Sequence, residues 1–518
     1  MSASRALCCA TLVVALFLGV ACAPPAIIDA GVGGKHVDAG ALIDAGAVDA
    51  GSDAGPLVDA GADAGSPVDA GSDAGPEPTD AGAPDDAGLD AGDPGLDAGY
   101  DGGVLDDAGN EAGPVDLGWP FPDTLPAPCP AQVLDDGAGA AWDGWANYQH
   151  PPALTVATGS ETPPLYGQVY RQGETEAAGQ APGWQAELLV GPFGSLPTGE
   201  GRCWQALPAS FNVQANNNDE YSATVTPTTR GLHGLLFRYR PSGGRWRYGD
   251  LGTGSDDGLQ AVAAGQLLVT GGSAPLRVVT MNLRCRVDGW TARRPLLVAA
   301  LARVDPDLVA FQEDCLDPDT GRSQAEDLLE DLAARTRRGY LFRRQTTHVA
   351  NHPEGSFEEG VSLLSAHPIE DEGVLTLPSA HLPRRALWID VTLGGRALRF
   401  YATHFDFGQD AAAERTSSAQ LILDSAPAAR AVLVAGDLNT TPDSEAAQRL
   451  SSALVDLWGR ANPSQPGLTF PASSPARRID YVFASPPLAL GLRGAKLLDE
   501  EAGGTRLSDH LGVAVSLE

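Results

Sequence analysis

Val432-Leu433-Val434-Ala435-Gly436-Asp437-Leu438-Asn439 is the stretch that decides how the second half of this chain is read. A short apolar run bounded by glycine is the pattern of a strand buried on both faces. The acid and amide that follow then emerge at the rim of a sheet. The same construction recurs on either side. Val278-Val-Thr-Met-Asn282, Leu308-Val-Ala-Phe-Gln-Glu313 and Phe400-Tyr-Ala-Thr-His404 each end in a polar side chain. Arg478-Ile479-Asp480-Tyr481 opens another apolar run, and Ser508-Asp509-His510 precedes the last one. Any one of these reads as a turn cap or a solvated charge, but six in order do not.

Between these runs lie two stretches, 293–304 and 323–337, with apolar residues at three-to-four spacing, as on a helix that packs one face. Apolar strands are expected at 361–365, 386–393 and 512–517 as well. Strands and helices intermixed in this way predict an α/β fold of two packed sheets with helices outside, a four-layer α/β sandwich. Carboxylates, an asparagine and histidines gathered at one rim are the groups that hold a hard divalent cation and activate a water. A histidine suits the base because its ordinary pKa lies near neutrality.

The order of these segments resembles the endonuclease/exonuclease/phosphatase superfamily, the deoxyribonuclease-I-like fold. It covers residues 276–518 through Met281-Asn282, Gln312-Glu313, Thr403-His404, Gly436-Asp437-Leu438-Asn439, Ile479-Asp480-Tyr481 and Ser508-Asp509-His510, supported by 360–369 and Leu468-Thr-Phe-Pro471. The resemblance implies a metal-dependent phosphoesterase. It gives His510 the part of general base, oriented by Asp480. Asp437 would sit beside the phosphate or the attacking water, Asn439 would donate to a phosphate oxygen, and His404 would assist the leaving group. Glu313 and Asn282, with Asp509, would hold Mg²⁺, Mn²⁺ and Ca²⁺ being the alternatives. Arg384, Arg385 and Arg478 are the candidates for substrate phosphate. If Asn282 and Glu313 share a metal, their strands are neighbours, and Cys285 and Cys315 just beyond them are expected to form a disulfide.

Upstream the composition changes twice. Residues 119–272 alternate as antiparallel strands rich in Gly, Thr, Tyr and Trp, and predict a small β-sandwich of immunoglobulin-like size, its ligand unknown. Residues 23–118 carry fourteen Asp-Ala-Gly triplets. Alanine and glycine offer little to bury and the aspartates repel one another, so a disordered linker is expected. The net charge of −33 belongs largely to this stretch: residues 29–116 hold 21 acids against one lysine, whereas 276–518 hold 32 acids and 25 bases. The last domain therefore lacks the basic footprint of a tight non-specific nucleic-acid binder.

Residues 1–22 read as an export signal, too short in its apolar core to span a membrane. Gly19-Val20-Ala21-Cys22 resembles a bacterial lipoprotein box, with Gly19 where Leu or Val is usual. Lipidation at Cys22 would tether an outer-membrane or cell-surface protein, and ordinary cleavage would release a secreted one. The catalytic domain is assigned to 273–518 and a monomer is expected. The leading expectation is a surface or secreted nuclease that hydrolyses nucleic-acid phosphodiesters. A sphingomyelinase-like phospholipase or an inositol-phosphate phosphatase is the alternative, and an inactive adhesin or binding module is the reading from another class.

Overall fold

In the computed structural model, strands follow the apolar runs closely. The structure describes residues 121, 125–127, 129, 144–197, 203–252, 259–271 and 275–518. The expected export signal, Cys22 and the triplet-rich stretch lie outside the described residues. Among those described, no helix is long and apolar enough to cross a membrane.

Two six-stranded sheets make the second half. The first runs Leu341–His352, Gly355–Ser365, Leu308–Cys315, Leu276–Asn282, Gly512–Leu517, Leu492–Leu498. The second runs Ile369–Leu377, Arg384–Leu393, Arg396–His404, Ala431–Asp437, Asp480–Ala484, Val455–Asp456. Both are mixed, with one parallel pair each: 276–282 with 308–315, and 396–404 with 431–437. Val278, Leu308, Ala310 and Val515 of the first sheet interleave with Ile389, Phe400, Leu433 and Val482 of the second in a dry central layer. Helices Trp290–Val304 and Gln324–Thr336 cover the outer face of the first sheet, while Ala412–Ser425 and Glu445–Ser451 cover the second. These are the four layers expected. Helix Gln324–Thr336 starts where Ser323 predicts: its hydroxyl accepts from the Glu326 N–H, and Glu326 accepts from the Ser323 N–H. That capping box satisfies two amides that would otherwise lack partners.

The preceding β-rich region is a nine-stranded sheet, eight strands in one path and Arg247–Gly249 branching from Gly231–Arg240. Strand Gln205–Ala215 belongs to both wings, pairing with Gln185–Pro192 through its first half and Asn218–Ala223 through its second. Tyr148, Val169, Leu188, Tyr221, Phe237 and Tyr239 fill the space between the wings. The tryptophans Trp184, Trp204 and Trp246 are buried, so they serve packing and offer no open aromatic face. This region joins the sheets directly. Gly339 N–H donates to the Leu232 carbonyl (2.9 Å) and Tyr340 N–H to that of Phe193 (3.2 Å).

Candidate active site

The two parallel pairs bring the polar strand ends together. In the first sheet Asn282 is in register with Gln312, and Glu313 follows at a bulge with φ +51°. Arg284, Cys285 and Asn439 share this left-handed region at the same rim. Such backbone costs non-glycine residues about 1–2 kcal/mol each and persists where surroundings over-determine it. Two constraints do so here. A disulfide joins Cys285 to Cys315, with Cα atoms 4.9 Å apart. Buried Arg293 donates to the carbonyls of Leu283 (2.9 Å), Cys285 (2.8 Å) and Leu507 (2.9 Å), tying the loop after Asn282 to the one before Ser508.

In the second sheet His404 pairs in register with Asp437, and Asp437 with Asp480, so three adjacent strands deliver three adjacent side chains. His510 reaches them from the first sheet. Its Nδ1 lies 2.9 Å from Asp480 Oδ2, and its Nε2 faces Asp437 Oδ2 at 3.8 Å. Asn282 Nδ2 donates to Glu313 Oε1 (3.0 Å) and Asp437 Oδ2 (3.3 Å). Asn439 N–H donates to Asp437 Oδ1 (2.8 Å), while its side-chain amide lies 3.1 Å from His404 Nε2.

Electrostatics sort these groups. Burial would lower the His510 pKa, but the charges of Asp480 and Asp437 outweigh it and push it up to about 10. Burial and the neighbouring Asp480 push Asp437 up to about 7, against the pull of His510. Burial, then the Arg384 guanidinium, holds His404 well below its ordinary value. His404 is therefore neutral. Arg384 Nη1 lies 3.1 Å from His404 Nδ1, while Nε2 faces Asp437 Oδ2 at 3.5 Å and the Asn439 amide nitrogen at 3.1 Å. The electrostatics thus favour the charged form of His510 and the neutral form of His404.

Not every candidate from the sequence converges here. Asp509 is half-buried and ion-paired with Arg284, outside the group formed by Asp437, Asp480 and His510. Arg478 is committed to Asp456 (2.6 Å) and lies over the Tyr481 ring, which withdraws it from phosphate contact. Arg385 Nη1 donates to the Arg384 carbonyl (3.1 Å). Arg384 is at the site, but buried against His404 and Glu359 Oε1 (3.4 Å). Other participants had not been singled out. Glu359 is buried, and burial and the Glu313 charge push it up to about 8 against Arg384. Thr469 Oγ1 accepts from the backbone N–H of Ile479 (3.1 Å) and Asp480 (3.3 Å), fixing the strand that carries Asp480. Phe470 packs on the His510 ring, with centroids 4.7 Å apart. Leu468-Thr-Phe-Pro471 had signalled these last two without a role.

A divalent cation fits this donor set. Glu313 Oε1 and Asp437 Oδ2 converge on a single amide nitrogen, and Asp480 Oδ1 is buried with no hydrogen-bond partner. Carboxylates this crowded want a counter-charge. Asn282 is different: its oxygen accepts from the Arg284 N–H (2.8 Å), so in this arrangement it is a donor between carboxylates.

Residues 279–510 match the model of the Endonuclease/Exonuclease/phosphatase family, whose members are divalent-metal-dependent phosphoester hydrolases. Solved structures similar to the chain include an endonuclease/exonuclease/phosphatase family protein from Leptotrichia buccalis, at 22% identity over 47% of this chain and 99% of that one, TM-score 0.41. A humanized TDP2 from D. rerio is 23% identical over 48% of this chain and 100% of that one, TM-score 0.39. A mannosyl-6-phosphatase from Bacteroides thetaiotaomicron is 21% identical over 47% and 99%, TM-score 0.38. No curated protein sequence matches the chain.

Proposed function

We propose that the phosphoesterase domain of residues 279–510 is an exported phosphodiesterase that cleaves nucleic-acid phosphodiesters with water activated by His510. The observation that carries this reading is the His510–Asp480 pair, Nδ1 to Oδ2 at 2.9 Å, with Nε2 left facing Asp437. Asp480 fixes the orientation of the ring, so that in the neutral form of His510 the bare Nε2 takes the proton from a water placed between it and Asp437. His404, held neutral, lies beside Asn439 where a phosphate or leaving-group oxygen would be met. Glu313 and Asp437 would hold Mg²⁺, which when bound neutralises the phosphate and the departing oxygen. Asp509 then acts through Arg284 rather than as a ligand. Two disulfides among the described residues, Cys129–Cys203 and Cys285–Cys315, support a compartment without a reducing thiol pool. Cys22 would anchor the chain there, with the triplet-rich stretch as spacer.

The test is a substrate panel: single- and double-stranded DNA, RNA, sphingomyelin, inositol phosphates and a sugar phosphate, each with Mg²⁺ and with EDTA, using membrane and soluble fractions. Nucleic acid should be cleaved with Mg²⁺ alone, by the membrane fraction. Hydrolysis that survives EDTA would overturn the metal assignment. Cleavage of none would return the chain to the binding-module reading, and cleavage of sphingomyelin alone to the phospholipase one.

A further inference from the structure

Phe407 is the only exposed Phe, Tyr or Trp among the described residues, at 51% exposure. An isolated exposed apolar residue needs no explanation, but this one stands at the mouth of the site. It follows His404 by three residues, and its ring centroid lies 5.8 Å from the guanidinium carbon of Arg384. That guanidinium touches His404 and Glu359 and keeps its Nε without a hydrogen-bond partner. The His381 ring lies 5.1 Å from Phe407, tilted by 50° to it.

The backbone on either side of the ring is also fastened. The preceding residue, Asp406, is fully buried, and its carboxylate accepts from Ser379 Oγ (2.8 Å) and from the N–H groups of Ala380 (2.7 Å), His381 (3.1 Å) and Gly408 (2.9 Å). His381 Nδ1 adds a contact at 2.9 Å. Arg415, itself buried, donates to the carbonyls of Asp406 (3.0 Å) and Gly408 (2.5 Å), on either side of Phe407. At Gly408 a Cβ would come within 2.0 Å of the His381 ring, so glycine is what lets that ring close up against Phe407. A platform fixed in advance loses little freedom when a ligand stacks on it.

We propose that Phe407, backed by His381, is a stacking subsite for one unpaired nucleobase next to the scissile phosphate, so that the preferred substrate is single-stranded nucleic acid or its ends. This rests on the nuclease reading above. A π-face beside a cationic guanidinium takes any base, without hydrogen-bond readout. The domain's net charge, 32 acids against 25 bases over 276–518, offers no track for a long duplex, so local stacking has to supply affinity. Sugar recognition would call for polar side chains around the ring. The Asp406 carboxylate is consumed by the contacts above, and Asp410 faces His381 Nε2 at 3.3 Å.

The experiment compares Phe407→Ala and Phe407→Trp with wild type on two substrates, a short single-stranded oligonucleotide and the same oligonucleotide with abasic residues flanking the scissile bond. Wild type should favour the base-bearing substrate. In Phe407→Ala the ratio of the two kcat/KM values should fall about ten-fold, as expected for one lost base stack, and Phe407→Trp should keep it. An unchanged ratio with active enzyme overturns the subsite and leaves the nuclease reading standing. If wild type hydrolyses neither oligonucleotide, the nuclease reading fails. Oligonucleotide binding then decides the subsite: equal affinity for wild type and Phe407→Ala overturns it, and about ten-fold weaker binding by the variant supports it.

Discussion

His510 and Asp480 concentrate the chemistry of this molecule into one hydrogen bond. In the proposed reaction His510 must be free of its proton, and the Asp480 charge holds its pKa high. Asp480→Asn should therefore move the ascending limb of the kcat/KM–pH profile to lower pH while rate falls by roughly 10²–10⁴-fold. A limb that stays in place would show that another group is the base. The same shift has a stability sign. With the folded pKa raised to about 10, the pair's contribution is complete below the ordinary histidine value of about 6.5 and is lost as pH rises toward 10. His510, Asp480 and Asp437 were legible in the sequence because each sits at the end of a run too apolar to be anything but buried strand. Glu359 was not. It follows another acid and precedes Gly360-Val361, so it reads as a solvated strand start, and only folding sets it against Arg384. Arg478 failed in the opposite way: proximity to Asp480 in sequence suggested phosphate, while its side chain turns to Asp456.

At the scale of elements, the catalytic rim depends on how the loops after two parallel strands are fastened. The Cys285–Cys315 bridge closes a separation of 30 residues. A loop of that size is worth about 3–4 kcal/mol by restriction of the unfolded chain. The Cys285→Ser/Cys315→Ser protein should lose stability of that order, visible as a lower Tm. It should also lose more activity than the fraction unfolded accounts for, because Glu313 would lose a constraint on its left-handed backbone. Activity that tracks the folded fraction alone would make the bridge purely a staple. That the two strands are neighbours followed from the family pattern, and so did the bridge. The bulge at Glu313 and the clamp by Arg293 did not, since a buried arginine on a helix looks in sequence like any surface one. The β-rich half was legible as strands, but its shared Gln205–Ala215 strand was not, because partner choice is non-local.

At the scale of the whole molecule, the β-rich region and the hydrolase sheets are pinned by a buried ion network. Asp307 is 1% exposed and meets Arg338 Nη2 at 2.6 Å, with Arg230 and His367 at 3.7 and 3.3 Å. Burial opposes its charge, but Arg338 outweighs it, and the carboxyl is held well below the usual range. Its stabilisation is therefore complete above the ordinary carboxylate value of about 4 and drains away as pH falls below it. Asp307→Asn should cost about 1–3 kcal/mol at neutral pH, because Arg338 then keeps only Asp305, at 2.9 Å, as its counter-charge. It should also show a shallower loss of Tm on acidification than wild type. Equal slopes would mean that other carboxylates govern acid unfolding.

Three contacts described above cross from one sheet to the other: Asn282 to Asp437, His510 to Asp480, and Glu359 to Arg384. The site is thus split like the jaws of a caliper, the imidazole proposed to activate water on one jaw and its acid on the other. The filler between the jaws is the apolar layer around Leu308, Phe400 and Leu433. Its thickness sets the gauge at which the jaws meet, so residues that never touch substrate determine whether the imidazole and its acid stand within reach of the same water.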